Sequence, residues 1–120
     1  MNPKVSIIIP CYNAEKWIAE SINSALLQTY ENKEIIFVDN ESTDNSLNIA
    51  KQIQSKSPQL MVYTAPNLYK YSWEEPVNKA LSHATGDYFT ILGADDFIRE
   101  DYIENIVRVG FLTTIKNKYT

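Results

Sequence analysis

A chain of 120 residues, 44% of them hydrophobic, is long enough for one domain, or for part of one, with a substantial buried core. This composition excludes a disordered or fibrous protein. The formal net charge of −4 and the lack of a basic stripe argue against a protein that binds nucleic acid.

The first half of the chain alternates between short apolar runs and helical patterns. The run "KVSIII" (residues 4–9) predicts a buried strand that is stopped by Pro10. Asn13 is predicted to cap the next helix, with Glu15 in its first turn. The run "EIIFV" (34–38) predicts a second strand, and "NESTDNS" supplies cap residues for a second helix. The apolar residues at helical spacing are Ile18, Ile22, Ala25 and Leu26, then Leu47, Ile49, Ala50 and Ile53.

The run "LMVYT" (60–64) predicts the third strand. Ser72 and Glu75 have capping-box spacing before a helix that is predicted to extend through Ala84, and Gly86 is predicted to end it as the C′ residue.

"DYFTIL" (87–92) predicts the fourth strand, and a last helix is predicted from about residue 101 to residue 109. The tail from residue 110 has no clear period and is not assigned. Alternation of strands and helices predicts an α/β fold, with a mostly parallel sheet flanked by helices on both faces.

Polar residues follow three of the predicted strands, and ligands of open α/β sheets bind beyond the carboxyl ends of the strands. Adjacent carboxylates repel each other unless a cation is bound, and hard oxygen ligands select Mg²⁺ or Mn²⁺, so we expect a site for a metal-bridged diphosphate. A pair of aspartates after a strand also fits a solvated turn, and that alternative stays open here. The three clusters are Pro10-Cys11-Tyr12-Asn13, Asp39-Asn40-Glu41-Ser42 and Gly93-Ala94-Asp95-Asp96.

Three segments, "VSIIIPCYNAEKWI", "EIIFVDNESTDNS" and "NKALSHATGDYFTILGADD", resemble the family 2 glycosyltransferases with the GT-A fold. The resemblance covers residue 5 to about residue 104. It implies a Rossmann-like fold that binds a nucleotide-diphosphate sugar, most often a UDP-sugar. It also implies metal-assisted transfer of the sugar to a saccharide or lipid-linked acceptor, with inversion at the anomeric carbon.

The resemblance also assigns residues to the donor site. Asp39 would accept a hydrogen bond from the pyrimidine ring, Pro10 and Tyr12 would line the base pocket, and Asp95 and Asp96 would hold the ribose and Mg²⁺ or Mn²⁺. The metal would stabilise the departing nucleoside diphosphate. The residues assigned to the nucleotide are Pro10, Tyr12, Asn13, Asp39, Asn78 and Asp95.

The chain departs from the pattern of the family at several positions. Gly93 replaces the first aspartate of an Asp-x-Asp-Asp motif, and Val77 replaces an arginine that precedes Asn78. Asn40 and Glu41 replace an Asp-Gly pair, so we expect a different turn there, because glycine permits backbone conformations that glutamate disfavours.

Family members need about 100 further residues, which carry the acceptor site and a carboxylate that acts as general base. The resemblance therefore implies a single domain, residues 1–120, that is the donor-binding half of a catalytic domain and is inactive alone. Its general base is expected beyond residue 120. An unfinished sheet leaves an exposed edge, which favours a homo-oligomer.

Three other functions are weighed against this one. A non-catalytic module that binds a nucleotide or a partner is the main alternative. A phosphoacceptor receiver domain needs an acidic pair after the first strand, where Pro10 and Cys11 stand. A dinucleotide-binding domain needs a glycine-rich turn, and the chain has three glycines in all.

The single cysteine, Cys11, excludes an internal disulfide and a cysteine-based zinc site. No apolar run approaches the roughly 20 residues of a membrane span, and none at the N-terminus suits a signal peptide. These features predict a cytoplasmic protein, with a peripheral position at the inner face of the membrane as an alternative. Three aromatic residues before the third helix either stack on a sugar or base or cover the start of that helix: Tyr69, Tyr71 and Trp73.

Overall fold

The computed structural model describes residues 2–68, 72–110 and 112–114. Strands and helices alternate along the described chain. They are β1 (Val5–Cys11), α1 (Ile18–Leu26), β2 (Lys33–Asp39), α2 (Ser46–Gln54), β3 (Leu60–Thr64), α3 (Glu74–His83), β4 (Tyr88–Ile91), α4 (Tyr102–Val109) and β5 (Thr113–Thr114).

The strands form one sheet in the order β3-β2-β1-β4-β5. The pairs β1–β2, β1–β4 and β2–β3 are parallel, whereas β5, in the tail that the sequence left unassigned, is antiparallel to β4. The predicted mostly parallel sheet is confirmed. The carboxyl ends of β1 to β4 therefore lie along one edge of the sheet, which we call the carboxyl edge.

The core has one layer on each face of the sheet, because neighbouring residues of a strand point to opposite faces. On one face, Ile7 and Phe37 pack with residues of α1, α2 and α4. On the other face, Ile8 and Ile36 pack with residues of α3. Helices on both faces were predicted and are confirmed. No helix in the described part of the chain is long and apolar enough to cross a membrane.

Pro10 does not stop the first strand, contrary to prediction, because β1 continues to Cys11. The N–H of Leu92 donates to the Ile8 carbonyl on the β4 side, and the N–H of Asn40 donates to the Cys11 carbonyl on the β2 side. Pro10 shares the orientation of Ile8, so its nitrogen points toward β4. The pairing of β4 has already ended at that level, and the missing N–H costs no ladder bond.

Asn13 does not cap the first helix, which begins at Ile18 with Trp17 as its N-cap. Asn13 instead has a φ of 49°, and its side-chain oxygen accepts the backbone N–H groups of Thr43 (2.8 Å) and Asp44 (3.3 Å). The predicted cap residue is therefore used by the loop before α2.

The predicted capping box of the third helix is also wrong. Trp73 is the N-cap of α3, and the Ser72 hydroxyl accepts the N–H of Glu74 (3.2 Å), two residues later. Gly86 is not a left-handed C′ residue, because α3 ends on Ala84 in an extended conformation. Gly86 is instead required for close approach, since a Cβ there would lie 2.9 Å from the backbone nitrogen of Ser6.

Candidate functional site

A cleft of about 700 Å³ opens at the carboxyl edge, where β1 and β2 end. Four segments form it: the loops after β1, β2 and β3, and the start of α3. The exposed side chains of Tyr12 and Trp73 supply aromatic surface to it. The lining residues are Pro10, Cys11, Tyr12, Asn40, Asn67, Leu68, Ser72, Trp73 and Pro76.

Asp39 and Asn40 are both buried at the end of β2, at 2% and 7% exposure. One carboxylate oxygen of Asp39 accepts the N–H of Ser42 at 2.9 Å. Within the described residues, the other oxygen, Oδ1, and the Oδ1 of Asn40 are buried without a hydrogen-bond partner. Leaving a buried acceptor unsatisfied costs about 1–3 kcal/mol, so these two oxygens can accept hydrogen bonds from a bound molecule.

Asn40 is among the residues that line the cleft, whereas Asp39 is not. The sequence analysis assigned the base contact to Asp39 and did not assign Asn40. Both residues are polar and stand at the end of the same strand. Which of the two faces a ligand is decided by the path of the chain after the strand, for which the sequence carries no clear signal.

The loops after β1 and β2 are bonded to each other. Besides its side-chain bonds to the second loop, Asn13 donates its backbone N–H to the Ser42 hydroxyl at 2.9 Å. The N–H of Ala14 donates to the buried Ser46 hydroxyl at the same distance. Asn13 is therefore a joint between two loops that carry cleft residues, and it is not itself among the residues that line the cleft.

Glu41 adopts a φ of 58°, in the left-handed region where glycine is favoured. The expectation that the turn would differ from a glycine-type turn is therefore wrong for this backbone angle. The side chain of Glu41 reaches the loop after β3, where its Oε1 accepts the N–H of Asn67 at 2.6 Å.

Asp95 and Asp96 are exposed in the loop after β4, and the N–H of Asp96 donates to the Gly93 carbonyl at 3.0 Å. A Cβ on Gly93 would lie 2.8 Å from Oδ2 of Asp96 and 3.2 Å from Oδ1 of Asp95. Both carboxylates therefore converge on the space that a side chain at residue 93 would fill.

This carboxylate pair suits a hard divalent cation that also takes oxygens from water and from a phosphate. Within the described residues, no group of three or more His, Cys, Asp or Glu side chains could hold a metal by itself. The pair fits Mg²⁺ or Mn²⁺ only with further oxygens from a bound molecule.

Helix α1 holds the loop that carries the two aspartates. Ser21 and Ser24 of α1, with Gln28 two residues beyond the helix, bond to the backbone between Gly93 and Ile103, and the sequence analysis missed them. The sequence pattern that could have revealed them is a set of polar residues interleaved with the apolar stripe of an amphipathic helix. The bonds run from Ser21 Oγ to the Gly93 carbonyl (3.0 Å), from the Ile98 N–H to Ser24 Oγ (3.1 Å), from Gln28 Nε2 to the Arg99 carbonyl (2.8 Å) and from the Ile103 N–H to Gln28 Oε1 (2.9 Å).

The predicted site residues, apart from Asn78, lie in or next to the loops at the carboxyl edge, but they do not all line one cavity. Pro10 and Tyr12 line the cleft. Asp96 lines a separate hollow of about 270 Å³ beside β4, and Asn78 is exposed on α3. Of the three aromatic residues before the third helix, Trp73 lines the cleft, whereas Tyr69 and Tyr71 lie outside the described residues.

Cys11 is the one thiol in the chain, and it lines the floor of the cleft. Burial, opposed by a hydrogen bond with Ser46 and reinforced by the nearby Asp39 carboxylate, raises its pKa to about 11. The thiol is therefore protonated at neutral pH, which suits a small buried side chain and not a nucleophile.

The comparisons with known proteins agree on one protein family. The sequence model described as "Glycosyl transferase family 2" matches residues 6–109. An uncharacterized glycosyltransferase of Haemophilus influenzae is 39% identical over 102 residues, which are 85% of this chain and 40% of that protein. The chain thus spans well under half the length of this relative.

Solved structures agree with the sequence comparison. Mannosyltransferase PcManGT from Pyrobaculum calidifontis, in complex with GDP-Man and Mn²⁺, superposes with a TM-score of 0.79 at 28% identity, over 90% of this chain and 32% of that chain. S. aureus TarS 1–349 in complex with UDP-GlcNAc superposes with a TM-score of 0.73 at 31% identity, over 88% of this chain and 30% of that chain. The predicted GT-A architecture is confirmed.

Proposed function

Because this chain belongs to glycosyl transferase family 2, we propose that its cleft binds the nucleoside part of a nucleotide-sugar donor, most often a UDP-sugar. The chain would be the donor-binding half of a glycosyltransferase, transferring the sugar with inversion to a saccharide or lipid-linked acceptor. Two similar proteins are described in complex with such donors, UDP-GlcNAc and GDP-Man, which supports the class of ligand.

The observation that carries the proposal is the unsatisfied, buried Oδ1 of Asn40 in a cleft with aromatic walls. A uracil ring offers an N–H donor at its edge and a flat face for stacking. Stacking on an aromatic side chain contributes about 1–3 kcal/mol per base, and Tyr12 and Trp73 are exposed enough to provide it. The buried Oδ1 of Asp39, the preceding residue, is also without a partner and would accept a hydrogen bond from the base or from an intervening water.

We propose that Asp95 and Asp96 hold Mg²⁺ or Mn²⁺ together with the diphosphate of the donor. When bound, the cation would supply charge neutralisation for the nucleoside diphosphate as the leaving group. The acidic surroundings support a need for such a cation, since Glu74 and Glu75 lie in the first turn of α3 beside the cleft. Without it, these carboxylates would repel a diphosphate.

The test is a titration of the 120-residue chain with uridine diphosphate, in the presence and absence of Mn²⁺. Quenching of Trp73 fluorescence reports stacking in the cleft, and a Trp17→Phe background removes the signal of the other tryptophan. We expect saturable quenching that strengthens with Mn²⁺ and weakens when uridine diphosphate is replaced by inorganic diphosphate. The absence of quenching and of binding heat at millimolar ligand would refute the proposal.

A non-catalytic nucleotide-binding module is the second candidate, and Gly93 in place of an aspartate favours it, because the carboxylate pair lacks a third member. Hydrolysis of a UDP-sugar separates the two candidates. Donor hydrolysis above the buffer rate by this chain supports the enzyme and excludes the module, whereas binding without turnover is expected of either candidate, because the general base is expected beyond residue 120.

A further inference from the structure

Glu41 combines an unfavourable backbone conformation with a specific side-chain contact. Its φ of 58° is one that a residue with a Cβ adopts at a cost, and such residues concentrate where the surrounding structure fixes them for a purpose. Its carboxylate accepts the backbone N–H of Asn67 at 2.6 Å, and an ionised acceptor makes such a hydrogen bond stronger than one between neutral groups.

The contact joins two loops at the cleft. Asn67 and Leu68 form one wall, in the segment that leaves the sheet after β3. The N–H of Ala65 donates to the Asp39 carbonyl at 2.9 Å and fixes the base of this segment. Glu41 fixes it two residues further out, where sheet pairing has already ended at Thr64.

The backbone angle explains why the contact can form. Glu41 follows Asn40, whose side chain faces the cleft, and the left-handed turn directs the next side chain across to the loop after β3. Glycine would adopt the same angle without cost, but it has no carboxylate to reach Asn67.

We propose that Glu41 is a positioning residue that holds the Asn67–Leu68 wall of the cleft in place for the nucleobase. This inference rests on the proposed function for its ligand, whereas the loop contact itself is independent of any ligand. A wall fixed before binding spares the donor the cost of ordering it, so the contact should act on affinity.

Three substitutions of the exposed Glu41 separate its two properties. Glu41→Gln keeps an acceptor oxygen, Glu41→Ala removes the acceptor and keeps the Cβ, and Glu41→Gly removes both. We expect Glu41→Gly to melt at a higher temperature than Glu41→Ala, because the left-handed angle penalises alanine. We expect both to bind uridine diphosphate about three- to tenfold more weakly than the parent, and Glu41→Gln to stay within about twofold.

Two controls accompany the titrations. Glu31 is an exposed loop glutamate at the opposite edge of the sheet, outside the left-handed region, so Glu31→Gly should not melt above Glu31→Ala. Hydrogen exchange of the Asn67 amide, measured without ligand, should be faster in Glu41→Ala than in the parent and in Glu41→Gln.

Parent-like nucleotide affinity of Glu41→Gly would overturn the inference, and so would Glu41→Gln losing as much affinity as Glu41→Ala. If the parent chain bound no uridine diphosphate, the proposed function would fall. The exchange rate of Asn67 would then decide by itself whether Glu41 holds the wall, and an unchanged rate in Glu41→Ala would refute that.

Discussion

Gly93 and Asp96 share one small space: a Cβ on Gly93 would lie 2.8 Å from the carboxylate oxygen Oδ2 of Asp96. Oδ1 of Asp95 lies 3.2 Å from the same point. Gly93 stands where the family motif has an aspartate, so one carboxylate is lost. In this fold it also makes room for the remaining two to converge.

Gly93→Ala should therefore weaken the part of uridine diphosphate binding that depends on Mn²⁺. The added methyl group displaces the ends of flexible, exposed aspartate side chains. We therefore expect the free energy of unfolding to change by less than about 1 kcal/mol. Misplacing one of two metal-binding carboxylates should lower the Mn²⁺-dependent affinity about tenfold. Calorimetry with and without Mn²⁺ measures this, and Mn²⁺-independent binding serves as the internal control. If the parent and Gly93→Ala bound uridine diphosphate equally well with Mn²⁺, the two carboxylates would not bind the metal in the arrangement seen here.

Substitutions on the two sides of β1 should separate base recognition from metal binding. Asn40→Ala removes a buried, unsatisfied oxygen from a residue that lines the cleft, so binding should weaken by about 1–2 kcal/mol with or without Mn²⁺. We expect Asp39→Ala to act in the same direction. Asp96→Ala should weaken only the Mn²⁺-dependent part. Titrations of all three variants under both conditions test the division, and it fails if Asp96→Ala and Asn40→Ala lose the same affinity under both conditions.

The sequence predicted the strands and the edge at which the site lies, because both depend on local pattern. The run Ile7–Ile9 is β-branched and apolar, and such a run in an alternating chain becomes a central parallel strand. The assignment of Asn13 as a helix cap failed for a physical reason. An Asn side chain can satisfy any nearby backbone N–H, and the loop at Thr43 and Asp44, thirty residues away, lies closer than the helix that follows in sequence.

The choice between Asp39 and Asn40 shows the same limit at the site. Alternation along β2 predicts which side chains of the strand face which layer, but the alternation ends with the strand at Asp39. Asn40 still donates its N–H to the Cys11 carbonyl, and the turn that follows contains the left-handed residue Glu41. A glutamate gives no sequence signal for that conformation, whereas a glycine would have done so.

The free energy of unfolding should decrease at acidic pH, because the buried carboxylate of Glu34 becomes protonated. Burial alone would raise its pKa, but hydrogen bonds from Ser6 (2.6 Å) and Thr85 (2.7 and 2.8 Å), with the Lys4 ammonium at 3.4 Å, outweigh burial and hold the pKa below its usual value. The unfolded chain, with a glutamate pKa of about 4.3, then binds the proton first as the pH drops.

The contribution of Glu34 is therefore complete above the unfolded pKa and is lost as the pH falls through the lower, folded pKa. Urea unfolding at pH 7 and pH 3 measures it for the parent and for Glu34→Gln. We expect Glu34→Gln to be less stable at pH 7 by about 1–3 kcal/mol and to lose less stability between the two pH values than the parent. Glu31→Gln, at an exposed loop position, should follow the parent curve. A Glu34→Gln curve parallel to that of the parent would contradict the assignment.

Gln28 should affect both folding and the metal-dependent part of binding, because it joins α1 to the segment that follows Asp95 and Asp96. Its amide donates to the Arg99 carbonyl at 2.8 Å and accepts the Ile103 N–H at 2.9 Å. Gln28→Ala leaves two backbone groups without these partners, so we expect a loss of about 1–3 kcal/mol in the free energy of unfolding. The carboxylates would be less well positioned, and Mn²⁺-dependent binding of uridine diphosphate should fall while metal-free binding stays the same.

Asn23→Ala is the control, because Asn23 is an exposed amide on α1, five residues before Gln28. It should change neither unfolding nor binding. Gln28→Glu keeps an acceptor for Ile103 but places a buried carboxylate oxygen against the Arg99 carbonyl, so it should be less stable than the parent at pH 7. If Gln28→Ala lost stability and kept full Mn²⁺-dependent affinity, α1 would support the fold without positioning the aspartates.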